Sequence, residues 1–168
     1  VNFFNMFDPN SFWSALFFLF MGTILTLCVQ SSAAIMAITM ILCSTGVLPL
    51  ESGIHLVLGE NIGTTITSNI AALGANVSAR RAAFAHMAIN VLGVLWVSLA
   101  FTPFVNVVCS IVGYDLHMLP TDPGYGANVA KISMVLAAFH SAFNISNTFL
   151  LIWFVPQIEK FVCKVIKP

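Results

Sequence analysis

The chain has 168 residues, of which 59% are hydrophobic and 7% charged, with six basic and six acidic side chains. Soluble domains carry about 25% charged residues, so this composition belongs to a membrane protein. A formal net charge of zero offers no basic field to nucleic acid.

The chain opens on Val1 and lacks the charged start, short apolar core and small-residue cleavage site of a signal peptide, so it reads as a segment of a longer chain. Residues 1–11 form a lead-in. Its end, Asp8-Pro9-Asn10-Ser11, is a turn and N-cap signal in which Asn10 or Ser11 serves the first free N–H groups of a helix. Residues 12–29 are apolar, aromatic at the start and small or polar toward Gly22, Thr23 and Thr26. Gln30-Ser31-Ser32 then interrupts the run, and an equally apolar stretch follows to Cys43 before Ser44-Thr45-Gly46 and Pro49 end it. Three polar side chains between such flanks are costly in hydrocarbon unless they find partners. Two geometries fit: one long broken helix, or a hairpin over 12–48 that dips into the membrane and turns at 30–32. A spanning helix needs about 20 residues. The stretch is too long for one span and too short for two with a loop, which favours the hairpin.

Residues 50–58 start a helical stretch, and Gly59-Glu60-Asn61-Ile62-Gly63-Thr64-Thr65-Ile66-Thr67 interrupts it in the same manner. Residues 50–75 are therefore expected to form one discontinuous span. Paired interruptions of this kind point to a transporter binding site. A loop follows at 76–81, with Ser78 as an N-cap and Arg80 and Arg81 beside it. A span over 82–112 is interrupted by Pro103. A polar connection containing Asp115 and Asp122 leads to a last span over 129–155, with Trp153 as an interfacial anchor. Residues 157–168 alternate apolar and basic side chains as an amphipathic interfacial tail. Arg80 and Arg81 share a side with Lys160, Lys164 and Lys167, Lys131 being the one dissenter, which predicts a cytoplasmic loop and tail in a plasma or bacterial inner membrane.

Ser31 and Ser32 supply hydroxyl donors, and a half-helix beginning there adds N–H groups and a positive dipole end that suit an anion, phosphate above all. Helix packing through small polar residues is the equally weighted alternative. In the second stretch Thr64, Thr67 and Ser68 fall on one helix face. Hydroxyls and freed carbonyls are ligands for a hard cation. Glu60, the one acid within that run, can bind sodium, take up a proton, or merely meet water at the interface. His86 and Asn90, like His140 and Asn144, stand four apart and read as structural clamps to neighbouring helices. His55 and His117 look exposed or interfacial. The four cysteines (28, 43, 109 and 163) have no CxxC spacing, so neither zinc nor a disulfide framework is indicated. No nucleophile–base or metal set converges, which argues against an enzyme.

Val29-Gln30-Ser31-Ser32-Ala33 resembles the Gln-Ser-Ser-Ser signature of the type II sodium–phosphate cotransporters and their bacterial relatives, and the stretch from Gly59 to Thr67 is similar to that family's Gly-x-Asn-Ile-Gly-Thr segment. The order and separation of the two, and the His-x-x-x-Asn helices after them, also fit over about residues 20–155. The resemblance implies an all-α membrane protein with a re-entrant helical hairpin and both discontinuous and continuous transmembrane helices. One copy of each motif makes the chain one half of an inverted-repeat transporter, the second repeat. The implied activity is sodium-coupled symport of inorganic phosphate by alternating access. Ser31 and Ser32 would touch phosphate. Gln30, Glu60, Thr64 and Thr67 would lie in or beside a sodium site, with Asn61 supporting the break. The implied partners are phosphate, sodium as coupling ion without any cofactor, the bilayer, and a first repeat or a second copy of the chain. Ala33 departs from the signature by one hydroxyl, and Glu60 stands where a small residue is usual, so the coupling ion, its stoichiometry and the anion are open. The alternatives are a carrier of another small oxyanion or dicarboxylate, or a non-transporting membrane subunit.

Overall fold

The computed structural model of the chain describes Asp8 and residues 11–168. Residues 1–7, Pro9 and Asn10, and with them the Asn10 cap, lie outside the described residues. Ser11 occupies the N-cap position of the first helix without a side-chain cap. The described residues form α1 (Phe12–Val29), α2 (Ser32–Ser44), α3 (Leu50–Ala71), α4 (Val77–Leu99), α5 (Phe101–Val112), α6 (Tyr125–Val129), α7 (Ile132–Leu151) and α8 (Val155–Val165), with 3-10 turns at Ala72–Gly74 and Ile152–Phe154.

α3 is the axis of the fold and packs against α1, α2, α4 and α7. Ile54, Val57 and Leu58 are fully enclosed there, as are Val135, Leu136, Phe139 and Phe143 of α7. Among the described residues, three helical stretches are long and apolar enough to cross a membrane: Phe12–Val29, Val77–Leu99 and Tyr125–Val165. α2 and α5 are apolar but shorter.

The expected discontinuity at 59–65 is absent: α3 runs as one 22-residue helix through Gly59 and Gly63. The glycines serve close approach instead. A Cβ on Gly59 would run into the Leu19 carbonyl oxygen, one on Gly22 into that of Leu56, and one on Gly63 would sit 2.7 Å from the Thr23 carbonyl oxygen. Gly59 and Gly63 thus form a small-residue face on which the backbone of α1 lies. The Thr23 hydroxyl reaches both Leu19 O, at 2.9 Å, and Gly59 O, at 3.1 Å, across the seam.

The span expected over 82–112 is two helices. Pro103 lacks an N–H and its ring opposes the carbonyl of Leu99, four residues back. The chain breaks at Ala100 (φ −103°, ψ 23°), and Pro103 falls in the first turn of α5, where it is tolerated. α5 then packs on α7, with Phe104 edge-on to both Phe139 and Trp96. The connection after α5 carries its own short helix, α6, whose Asn128 accepts from the Asp115 N–H at 2.9 Å and donates to its carbonyl at 2.8 Å. At the opposite end Arg81 Nε donates to the Ile166 carbonyl at 3.0 Å. The loop expected at 76–81 is instead the start of α4, capped by Asn76 rather than Ser78, and its Arg81 and the end of the C-terminal helix lie together.

Candidate functional site

α1 and α2 do meet at a break. Gln30 takes φ +56°, the one non-glycine residue among those described with positive φ, and its N–H bonds Thr26 O at 2.8 Å. A left-handed glutamine is strained, and such strain gathers at functional positions. Ser31 is extended (φ −143°, ψ 99°) and caps α2, its Oγ accepting from the Ala34 N–H at 3.3 Å. That bond uses a lone pair and leaves the Ser31 hydroxyl proton available. Ser31 and Ser32 are half-buried and Gln30 is exposed. Changing Ser31 to Ala removes the cap, and thermal melting of the purified full-length protein should register a loss of about 1 kcal/mol.

The sodium set expected from sequence is spread along α3. Gln30 and Thr67 come together: with Leu27, Ser68, Ile70 and Ala71 they line an open cavity of about 470 Å³. Glu60 lies about 10 Å further along the helix. It is 2% exposed, and Thr39 of α2 places its hydroxyl 3.3 Å from the Glu60 carboxylate. Thr64 stands between them on the same stripe of α3, since positions 60, 64 and 67 repeat at i, i+4 and i+7. The Thr64 hydroxyl donates to Glu60 O at 2.8 Å, and that of Thr67 to Thr64 O at 2.7 Å. Their protons are spent on the helix, which leaves oxygen lone pairs for an electron-poor guest. Asn61 does not support a break. Its Nδ2 donates to Val57 O at 3.1 Å, and its Oδ1 meets His140 Nε2 of α7 at 3.3 Å.

Of the two His–Asn pairs, only the second clamps across helices as expected, through His140 to Asn61. His86 is exposed, and Asn90 bonds back to the His86 carbonyl at 3.0 Å. His55 is buried rather than interfacial, stacked on Phe101 at 4.2 Å between centroids. Two polar residues escaped the sequence reading. Thr39 is the contact of Glu60, and its signal was a lone buried hydroxyl in the middle of apolar α2. Asn147 of α7 seats on Gly93, accepts from Trp96 Nε1 at 3.2 Å and donates to Ile89 O at 3.1 Å. It does the clamping on α4 that His86 was expected to do.

Residues 10–117 match the family described as Na+/Pi-cotransporter. The stretch includes the α1–α2 break and all of α3. The chain is 32% identical over 143 residues to the uncharacterized protein YqeW of Bacillus subtilis (strain 168), covering 85% of this chain and 40% of that protein. It is 39% identical over 83 residues to the sodium-dependent phosphate transport protein 2A of Ovis aries, and 38% identical over 78 residues to the sodium-dependent phosphate transport protein 2C of Homo sapiens. Those alignments cover 46% and 44% of this chain and 13% of each mammalian protein. No solved structure matches the chain. With a match running from the first apolar helix to beyond α5, the chain belongs to the Na+/Pi-cotransporter family.

Proposed function

We propose that the chain is one half of a secondary transporter, integral to a plasma or bacterial inner membrane, that couples sodium to the uptake of inorganic phosphate by alternating access. The observation that carries this reading is Glu60. A carboxylate 2% exposed, contacted by the Thr39 hydroxyl and with no ion-pair partner among the described residues, is costly in a membrane interior unless a cation joins it. Thr64 and Thr67 extend its stripe of oxygens to Gln30 and to the mouth of the cavity. Sodium entering along this stripe offsets the charge of phosphate, which docks on the Ser31 and Ser32 hydroxyls and on the first N–H groups of α2. Asn61, held by His140, fixes the rotation of α3 that presents the stripe.

In this reading α1 and α2 are the two arms of a hairpin that enters the membrane and returns, its tip at Gln30-Ser31. The chain spans 40% of the length of its bacterial relative, so an inverted first repeat or a second copy completes the site. The start of α4 with Arg80 and Arg81, and the α8 tail, face the cytoplasm. Transport requires no enzyme chemistry and no cofactor beyond the coupling ion. Radiolabelled phosphate uptake by the full-length protein in liposomes should rise with an imposed sodium gradient. Uptake indifferent to sodium ends the proposal. Unlabelled oxyanions and dicarboxylates that outcompete phosphate would reassign the cargo.

A further inference from the structure

We infer that Thr39 is a positioning residue for the coupling cation at Glu60. Its hydroxyl proton turns between the Glu60 carboxylate and its own helix, and so ties α2, which begins beside Ser31, to the presence of that cation. The inference rests on the transport reading and deepens it at the same site. Thr39 Oγ1 stands 2.9 Å from Ile35 O and 3.3 Å from Glu60 Oε1. A hydroxyl has one proton, so it serves one of these two acceptors at a time. Thr39 is 1% exposed and Glu60 2%, so bulk water does not satisfy the acceptor left over. The oxygen itself is fixed. Thr39 is β-branched and stiff at its first side-chain torsion. Its methyl lies against Gly53 of α3, 3.5 Å from the place a Cβ would take there. Only the O–H bond is left to turn.

Without a cation, the charged carboxylate is the stronger acceptor, and the bond to it draws α2 against α3. A cation at Glu60 takes that acceptor over. The Thr39 O–H then turns to Ile35 O, and a lone pair faces the cation where the proton had been. Thr39 keeps its proton throughout. The spacing already suits the loaded state: two oxygens 3.3 Å apart are neighbours on an octahedral shell of radius about 2.3 Å, which fits a hard cation larger than magnesium. Thr64 and Thr67 bond within α3, so the Thr39 hydroxyl is what joins Glu60 to the helix that carries the anion end. Thr39 lies eight residues after Ser31, about 12 Å along the axis. α2 is unbroken between Ser32 and Ser44, so what holds it at Thr39 also sets where its first turn stands.

Phosphate uptake by the full-length protein in liposomes, measured over a range of sodium concentrations, tests this. Thr39→Val should raise the sodium needed for half-maximal uptake on the order of tenfold, which is what one hydrogen bond to a charged group contributes. Sodium should also tighten phosphate binding less in this variant than in the parent. Thr39→Ser keeps the hydroxyl and should restore sodium dependence to within about threefold of the parent. In a Glu60→Gln background the Val change should add less than about twofold, because the charge that the hydroxyl answers to is gone. A Val protein with the parent's sodium dependence overturns the inference while sodium-coupled uptake by the parent stands. So does a Ser protein as impaired as the Val protein, or a Val effect of equal size with and without the carboxylate. Parent uptake indifferent to sodium overturns the transport reading and this inference together. Thr39→Ala, smaller than either side chain, supplies the same comparison should the Val protein not fold.

Discussion

Replacing Gly59 with Val should cost at least about 3 kcal/mol and leave little folded protein to purify. A Cβ at this position points into the main chain of α1, at the Leu19 carbonyl and the Thr23 N–H. Backbone cannot rotate out of the way as the end of a side chain can, so the two helices would have to part. Parting also breaks the Thr23 contact to Gly59 O and lifts α1 from the axis of the fold. Gly63→Ala should cost less, because its Cβ meets Thr23 O at 2.7 Å and the Thr26 side chain at 2.8 Å. Gly74→Ala and Gly126→Ala are controls, with nothing within 4 Å of the added carbon, and should be near neutral. Expression yield and thermal melting of the full-length protein check the series. A Gly59→Val protein that melts with the parent would show that α1 and α3 do not approach through this face.

That series also explains what the sequence made legible. Composition fixed the membrane class, and the apolar runs placed most helices. The α1–α2 break was readable because a glutamine and two serines sit where the chain cannot continue apolar, and Ser31 is a good cap. The expected break in α3 rested on two glycines and a run of threonines, and each has a second use. Glycine gives conformational freedom, but at i and i+4 it also gives a smooth face for another helix. Threonines bond back to their own helix, so they need no broken backbone to be satisfied. Only the position of α1 decides between these uses, and no local pattern carries that. The His–Asn pairs fail similarly: the same His-x-x-x-Asn spacing places His140 against Asn61 and leaves His86 exposed. Helix neighbours, rather than local sequence, set the difference.

Glu60→Leu should abolish sodium-dependent phosphate uptake while leaving the protein as stable as before, or more stable by on the order of 1 kcal/mol. Exchanging a buried carboxyl side chain that has no ion-pair partner for an apolar one of similar size removes a desolvation cost and is often neutral or favourable. Here it orphans nothing, since the Thr39 hydroxyl keeps its 2.9 Å bond to Ile35 O. The functional loss is larger. A carboxylate about 4 Å from a sodium ion is worth about 4 kcal/mol at the effective dielectric of a partly shielded site, which is on the order of a thousandfold in sodium affinity. Glu60→Gln isolates the charge, because the amide keeps the shape and still accepts from Thr39. It should fold as the parent does and need far more sodium for the same uptake. A subunit whose polar residues only hold helices together predicts the reverse: a protein weakened by the Leu change, with no effect specific to sodium in the Gln variant. Should the Gln variant take up phosphate with unaltered sodium dependence, Glu60 is not the partner of the coupling ion, and the oxygens along α3 are helix packing alone.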